Sequence, residues 1–324
     1  MSLARQFLKP LADGNKISLV DILGGGGIYP GRTFWVKPST DADYAKFFAD
    51  HNVVEDGTNS VYNTVDAAIS ACTSGRGDVV YVMPGHTETV TATSIAHDVA
   101  GVTVVGLGRG TSRPTFTFGA AAATITVSAA NCGWENVRLV ANFLNVASAF
   151  TLSTAKDFMV NNCSFVDTSS VLNFLSCVVT GATNNDADGL TVTNNYVTSL
   201  PTTDGAFVSI LQALTKLTIE GNDVFKAATN NAGHFITLAA KVITNARIRN
   251  NVLVVVGATT ATVGIFLTGS GTTSTGIVAY NLVTSLDTTT ELIATAGTGL
   301  TFIENYYTGT ADASGKLWPV VDGA

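Results

Sequence analysis

The sequence predicts an all-β chain wound into a parallel β-helix, with short helices capping its N-terminal end. Two observations carry that expectation. One four-residue signature, with apolar or ladder-forming residues at relative positions 0, 2, 5 and 7, recurs eight times between Val102 and Tyr307. A second apolar strand, marked by Ile125, Phe150, Val178, Val208, Phe235, Ile265 and Leu292, precedes the position-5 residue by 12 to 17 positions, which leaves room for a connection and one more short strand. A recurring period of this size, with no helical heptads inside it, means coils that bury their apolar faces on their neighbours.

Residues 1–60 lie outside the repeat and are expected to form an N-terminal attachment and capping segment. Gly24 to Gly27 suit a joint or a close backbone contact, because no Lys-Ser/Thr follows them to make a phosphate loop. Thr40 is placed to cap a helix over Asp41 to His51, with Asp43 in its first turn and Tyr44, Phe47 and Phe48 on one face. A second helix, capped by Asn63 or Thr64, sets Val65, Ala68, Ile69 and Cys72 on one face and ends at Gly75 and Gly77. It precedes the first coil, where it can cover open strand edges and apolar core. The strand Asp78 to Met83 then runs into the turn Pro84-Gly85-His86-Thr87-Glu88.

The β-helix is assigned to residues 61–307, and 308–324 to a C-terminal cap or tail containing Trp318 and Pro319. The best copies of the signature are Leu190/Val192/Asn195/Val197, Leu217/Ile219/Asn222/Val224, Ala246/Ile248/Asn251/Leu253 and Leu300/Phe302/Asn305/Tyr307. Looser copies are Val102/Val104/Leu107/Arg109, Cys132/Trp134/Val137/Leu139, Phe158/Val160/Cys163/Phe165 and Gly276/Val278/Asn281/Val283. A two-residue step is strand alternation, and the three-residue step marks a bend that lets residues on both sides of a corner point inward. Asn195, Asn222, Asn251, Asn281 and Asn305 occupy that corner in five consecutive coils. Stacked about 4.8 Å apart, their amides can bond one another and the turn backbone, so the sequence predicts an asparagine ladder.

Composition limits the partners. The net charge is −7, and the 17 Lys and Arg residues are scattered without a basic stripe, which argues against nucleic acid. No run approaches the roughly 18 apolar residues of a membrane helix, and no signal peptide is visible at Met1 to Val20. Cys72, Cys132, Cys163 and Cys177 show no metal-type spacing and read as reduced thiols serving as small hydrophobes. No cofactor is implied.

Chemistry is sparse. The outward residues between positions 2 and 5 are, coil by coil, Val105, Glu135, Asn161, Thr193, Glu220, Arg249, Ala279 and Ile303, followed by Gly106, Asn136, Asn162, Asn194, Gly221, Asn250, Tyr280 and Glu304. Glycoside hydrolysis by paired carboxylates needs them about 5 to 9.5 Å apart, on neighbouring or next-neighbouring coils. These positions supply no such pair; Glu220 instead faces Arg249 one coil on, as a surface salt bridge would. His234 and Glu291 flank the second strand two coils apart. The loop Gly181 to Gly189, with Asn184, Asn185, Asp186 and Asp188, lacks a full calcium-loop pattern and reads as a solvated turn. Gly106-Leu107-Gly108-Arg109-Gly110 imitates part of a dinucleotide fingerprint, but Thr111, Ser112 and Pro114 stand where its helix should begin. His86 and Glu88, two apart on an extended segment, are the remaining catalytic candidates, weighed against a plain turn that starts the first coil.

The stretches Asn63-Thr64-Val65-Asp66-Ala67-Ala68-Ile69 and Arg76-Gly77-Asp78-Val79-Val80-Tyr81-Val82, with Pro84-Gly85-His86-Thr87-Glu88, resemble the opening of pectate-lyase-like right-handed β-helix proteins, most of all those encoded by tailed phages. The resemblance covers the cap and first coil closely and the remainder as architecture. It implies a right-handed helix, a homotrimer and a place in a virion assembled in the host cytoplasm. The expected function is therefore a non-enzymatic spike, fibre or capsid-decorating subunit, bound to other virion proteins through residues 1–60. A tailspike-like depolymerase or an adhesin binding a host surface glycan is the alternative.

Overall fold

The computed structural model describes residues 31–92, 95–200, 206–227, 235–238, 241–256, 265–267, 274–285, 293–295, 299–309 and 312–318. Short β-branched and aromatic runs separated by tight bends favour strands over helices. Among these residues the strands fall into three long sheets of eleven, ten and eight strands and one short pair, Leu214–Thr215 with Ile243–Thr244. Each coil contributes one strand to each sheet in turn, and neighbours within a sheet are parallel except for the last pair of the second sheet, Asn305–Gly309 with Asp312–Trp318. The fold is a parallel β-helix with three strands per coil.

The register confirms most of the signature and corrects its edges. Asn195, Asn222, Asn251, Asn281 and Asn305 stack, because the strands that follow them pair Tyr196 with Asp223, Asp223 with Val252, Val252 with Leu282 and Leu282 with Tyr306. In the first copy only Val102 and Val104 hold. Thr115 pairs with Arg138, so Pro114 and Phe116 take the places expected of Leu107 and Arg109. The intervening residues loop out around a 3-10 turn at Gly110–Ser112. In the third sheet Ile236 pairs with Val208, so the inward file runs through Ile236 rather than Phe235, and Ile293 pairs with Ile265; Leu292 lies outside the described residues. Phe235 is nonetheless buried.

The chain before residue 61 was expected outside the repeat. Instead, strand Thr33–Val36 pairs in parallel with Val79–Val82 and extends the first sheet, with Val61–Tyr62 on its far side. Helix α1, Tyr44–His51, starts at Asp43 rather than at Thr40. The reason is Lys37, whose ammonium binds both Asp41 (2.8 Å) and Asp43 (3.0 Å) and holds that stretch as a turn. Helix α2, Val65–Ser70, is capped by Thr64, whose hydroxyl accepts from Ala67 N–H, and it buries Val65, Ala68 and Ile69 against the first coil. Asp78 anchors the same end: its carboxylate accepts Arg32 N–H (2.6 Å), Thr73 N–H (2.7 Å) and the Arg76 guanidinium. Burial pushes that carboxyl up, but these donors outweigh it and hold it below the usual carboxylate range.

Inside, rings pile along the axis. Phe116 lies 5.4 Å from Trp134, Trp134 5.7 Å from Phe150, and Phe165 5.7 Å from Phe207, mostly edge to face. Each fully buried aromatic side chain contributes about 1.5–3 kcal/mol of transfer free energy.

Two files of left-handed residues make the corners. Gly77, Gly101, Asn131, Asp157, Gly189, Lys216 and Asn245 enter the first sheet, and Asn136, Asn162, Asn194, Gly221, Asn250, Tyr280 and Glu304 leave it, all with φ between +44° and +82°. Asn and Gly tolerate this region best, which is why they dominate both files. At Gly221 a β-carbon would lie 2.8 Å from the Asn194 amide oxygen, so glycine is required by space as well as by φ.

Candidate functional site

The pairing of Thr87 with Thr115 places His86 in the same file as Pro114, Val137 and Cys163, directly in line with the ladder. Both His86 and Glu88 therefore point into the coil. The His86 ring is buried, its Nε2 lies 3.0 Å from Glu88 Oε2, and that oxygen also accepts the Val65 N–H at 3.1 Å. His86 Nδ1 is buried without a hydrogen-bond partner. The two candidates do meet, yet beneath helix α2. The arrangement ties the first helical turn to the first coil.

The ladder is continuous from Asn195 to Asn305. Each amide Nδ2 donates to the next Oδ1, from Asn195 to Asn222 (2.9 Å), Asn222 to Asn251 (2.9 Å), Asn251 to Asn281 (2.9 Å) and Asn281 to Asn305 (2.8 Å). The second hydrogen goes back one coil, to the carbonyls of Val160, Val192, Ile219, Ile248 and Val278. Each Oδ1 also accepts the backbone N–H of the preceding corner, beginning with Cys163 N–H to Asn195 at 2.8 Å. The interior amides, Asn222, Asn251 and Asn281, use both amide hydrogens and accept twice on Oδ1, so these side chains hold the corner. At the two ends Asn195 Oδ1 accepts Cys163 N–H and Asn305 Nδ2 donates to Val278 C=O.

Outside, the carboxylates at the two positions before the corner are Glu135, Glu220 and Glu304. They sit three coils apart in succession, about 14 Å at the interstrand spacing. Glu220 binds Arg249 at 2.9 Å and receives Asn250 Nδ2 at 3.3 Å. Asp223, on the same coil as Glu220, projects from the second sheet beyond the bend. The Asn184 and Asp188 side chains, expected in a solvated turn, accept Ala213 and Thr215 N–H from the next coil. His234 and Glu291 lie outside the described residues. Among the described residues no group of three or more His, Cys, Asp or Glu could hold a metal ion, and no helix is long and apolar enough to cross a membrane.

Several buried polar groups carry no mark in the sequence, His97 and Asp167 among them. His97 accepts the Trp134 indole N–H on Nδ1 at 2.9 Å, and burial lowers its pKa to about 4. Asp167 accepts Phe174 N–H, Leu200 N–H and the Ser199 hydroxyl, while burial pushes its carboxyl up against the opposing pull of these donors and Lys226. Asp167 and Lys226 lie at the inward end of second-sheet strands, where the pattern predicts apolar residues. Nothing in the local sequence marks them. The thiols are free and buried or half-buried, and burial raises them all, Cys72 and Cys163 to about 12 and Cys132 to about 11.

No family model matches the chain, and no curated protein matches it.

Proposed function

We propose that this chain is a non-catalytic structural subunit of a tailed-phage particle, a spike, fibre or capsid-decorating β-helix that assembles as a homotrimer and docks on other virion proteins through residues 1–60. One observation supports it most: the polar residues that chemistry would need are consumed by the frame. The corner amides bond one another, His86 and Glu88 clasp the cap, and Glu220 is held by Arg249. The phage assignment rests on the resemblance of the cap and first coil.

Exposed rings at Tyr196, Tyr280 and Tyr306 favour an adhesin as the second reading, because an aromatic face can carry a sugar. The test is incubation of purified protein with host surface glycans, together with mapping of its position on the particle. The proposal expects density for this chain on the virion and no new reducing ends or unsaturated sugars. Product formation would overturn the non-catalytic reading in favour of a depolymerase whose site forms between subunits. Binding without product would favour the adhesin.

A further inference from the structure

Four side chains on two adjoining coils line a cleft of about 250 Å³ on the outside of the first sheet: Lys216, Thr218, Asn245 and Arg247. Their placement follows from the register. Thr218 pairs with Arg247 across neighbouring strands, and Lys216 and Asn245 occupy equivalent left-handed corner positions two residues before that pair. Backbone bonds fix both corners, Lys216 N–H to Thr244 C=O at 2.9 Å and Asn245 N–H to the Thr275 hydroxyl at 3.1 Å. These bonds hold the backbone from which the Lys216 and Asn245 side chains project.

Every side chain of the four can donate, and two carry full positive charge. Among the described residues neither Lys216 nor Arg247 forms an ion pair, whereas Arg249, two residues on, is neutralised by Glu220. The Asp188 carboxylate, beside Gly189 of the corner file on the preceding coil, is turned onto Thr215 N–H at 2.7 Å. On a chain of net charge −7 this is a local cationic hollow. Excess donors, a guanidinium fork and an ammonium set within one cleft match an oxyanion, which offers several acceptor oxygens to one planar and one point-like cation.

We propose that this cleft binds an oxyanion group, a phosphate or carboxylate, presented free or on an acidic polymer. The site is separate from the structural role and does not depend on it. The experiment is calorimetric titration of the full-length protein at low ionic strength with inorganic phosphate in one arm and alginate, a carboxylated polysaccharide, in the other. Lys216→Asn suits the left-handed backbone and Arg247→Gln suits the strand, so both variants should keep the wild-type melting temperature. Binding should weaken at least tenfold in either variant and remain unchanged in Arg138→Gln on the second sheet. Phosphate binding alone identifies a free-anion site; alginate binding alone identifies a polymer-borne one. No heat with either probe, or equal affinity in the wild type and the double variant, would overturn the assignment.

Discussion

Replacing Asn222 with leucine tests the ladder at its centre. The Asn222 side chain accepts from Asn195 N–H (3.0 Å) and Asn195 Nδ2 (2.9 Å), and donates to Val192 C=O (2.9 Å) and Asn251 Oδ1 (2.9 Å). Leucine removes these bonds, together with the 3.2 Å bond from Asn222 Nδ2 to Glu220 C=O, and leaves the buried Asn195 N–H, one Asn195 amide hydrogen and the Val192 carbonyl short of a partner. Each orphaned group costs about 1–3 kcal/mol, and the leucine methyls return about 1–2 kcal/mol of burial. The expected net loss is about 3 kcal/mol, a fall of about 4 °C in melting temperature for a chain of this size. Denaturant titration followed by far-ultraviolet circular dichroism measures it. A loss below about 0.5 kcal/mol would show that the amide bonds are not what holds the corner.

Three further outcomes follow from other residues. His97 has a native pKa of about 4 against about 6.5 when unfolded, so the unfolded chain binds the extra proton between those values. Its stabilisation is complete above pH 6.5 and is lost as pH falls towards 4, by at most about 3 kcal/mol; a His97→Gln variant should flatten that part of a stability-against-pH curve. Tyr280 (φ +56°) and Glu304 (φ +44°) occupy a file that Asn and Gly fill elsewhere. Tyr280→Asn and Glu304→Gly should therefore each raise stability by about 0.5–1 kcal/mol in denaturant titration, and a loss in both would refute the strain argument. The native thiols, all raised by burial, should react with a chromogenic disulfide at pH 8 no faster than the protein opens. A fast stoichiometric phase would contradict their placement.

Periodicity made the repeat legible because stacking fixes side-chain direction: a residue pointing inward in one coil must do so in the next. That is why the sequence places five corner asparagines in one file and Glu220 opposite Arg249. The same rule fails where chain is inserted. Pro114 and Phe116 replaced Leu107 and Arg109 because the seven residues from 107 to 113 leave the coil and return, and register counts spatial rungs rather than residues. His86 and Glu88 looked like candidates for chemistry because their neighbours in sequence are turn residues. Only pairing with the next coil turned them inward.

The amino-acid sequence alone determined the parallel β-helix, the ladder and the capping helix at Val65–Ser70, since each is set by local alternation, an amide at a fixed offset or a cap residue. The tertiary structure decided the fate of the isolated polar groups. It buried His97 against Trp134 and Asp167 beneath Phe174, and it gathered Lys216 and Arg247, from different coils, into one open cleft. Charge and hydrogen bonding act across space, and the spacing between coils is written in the backbone pairing, where no single stretch of sequence can show it.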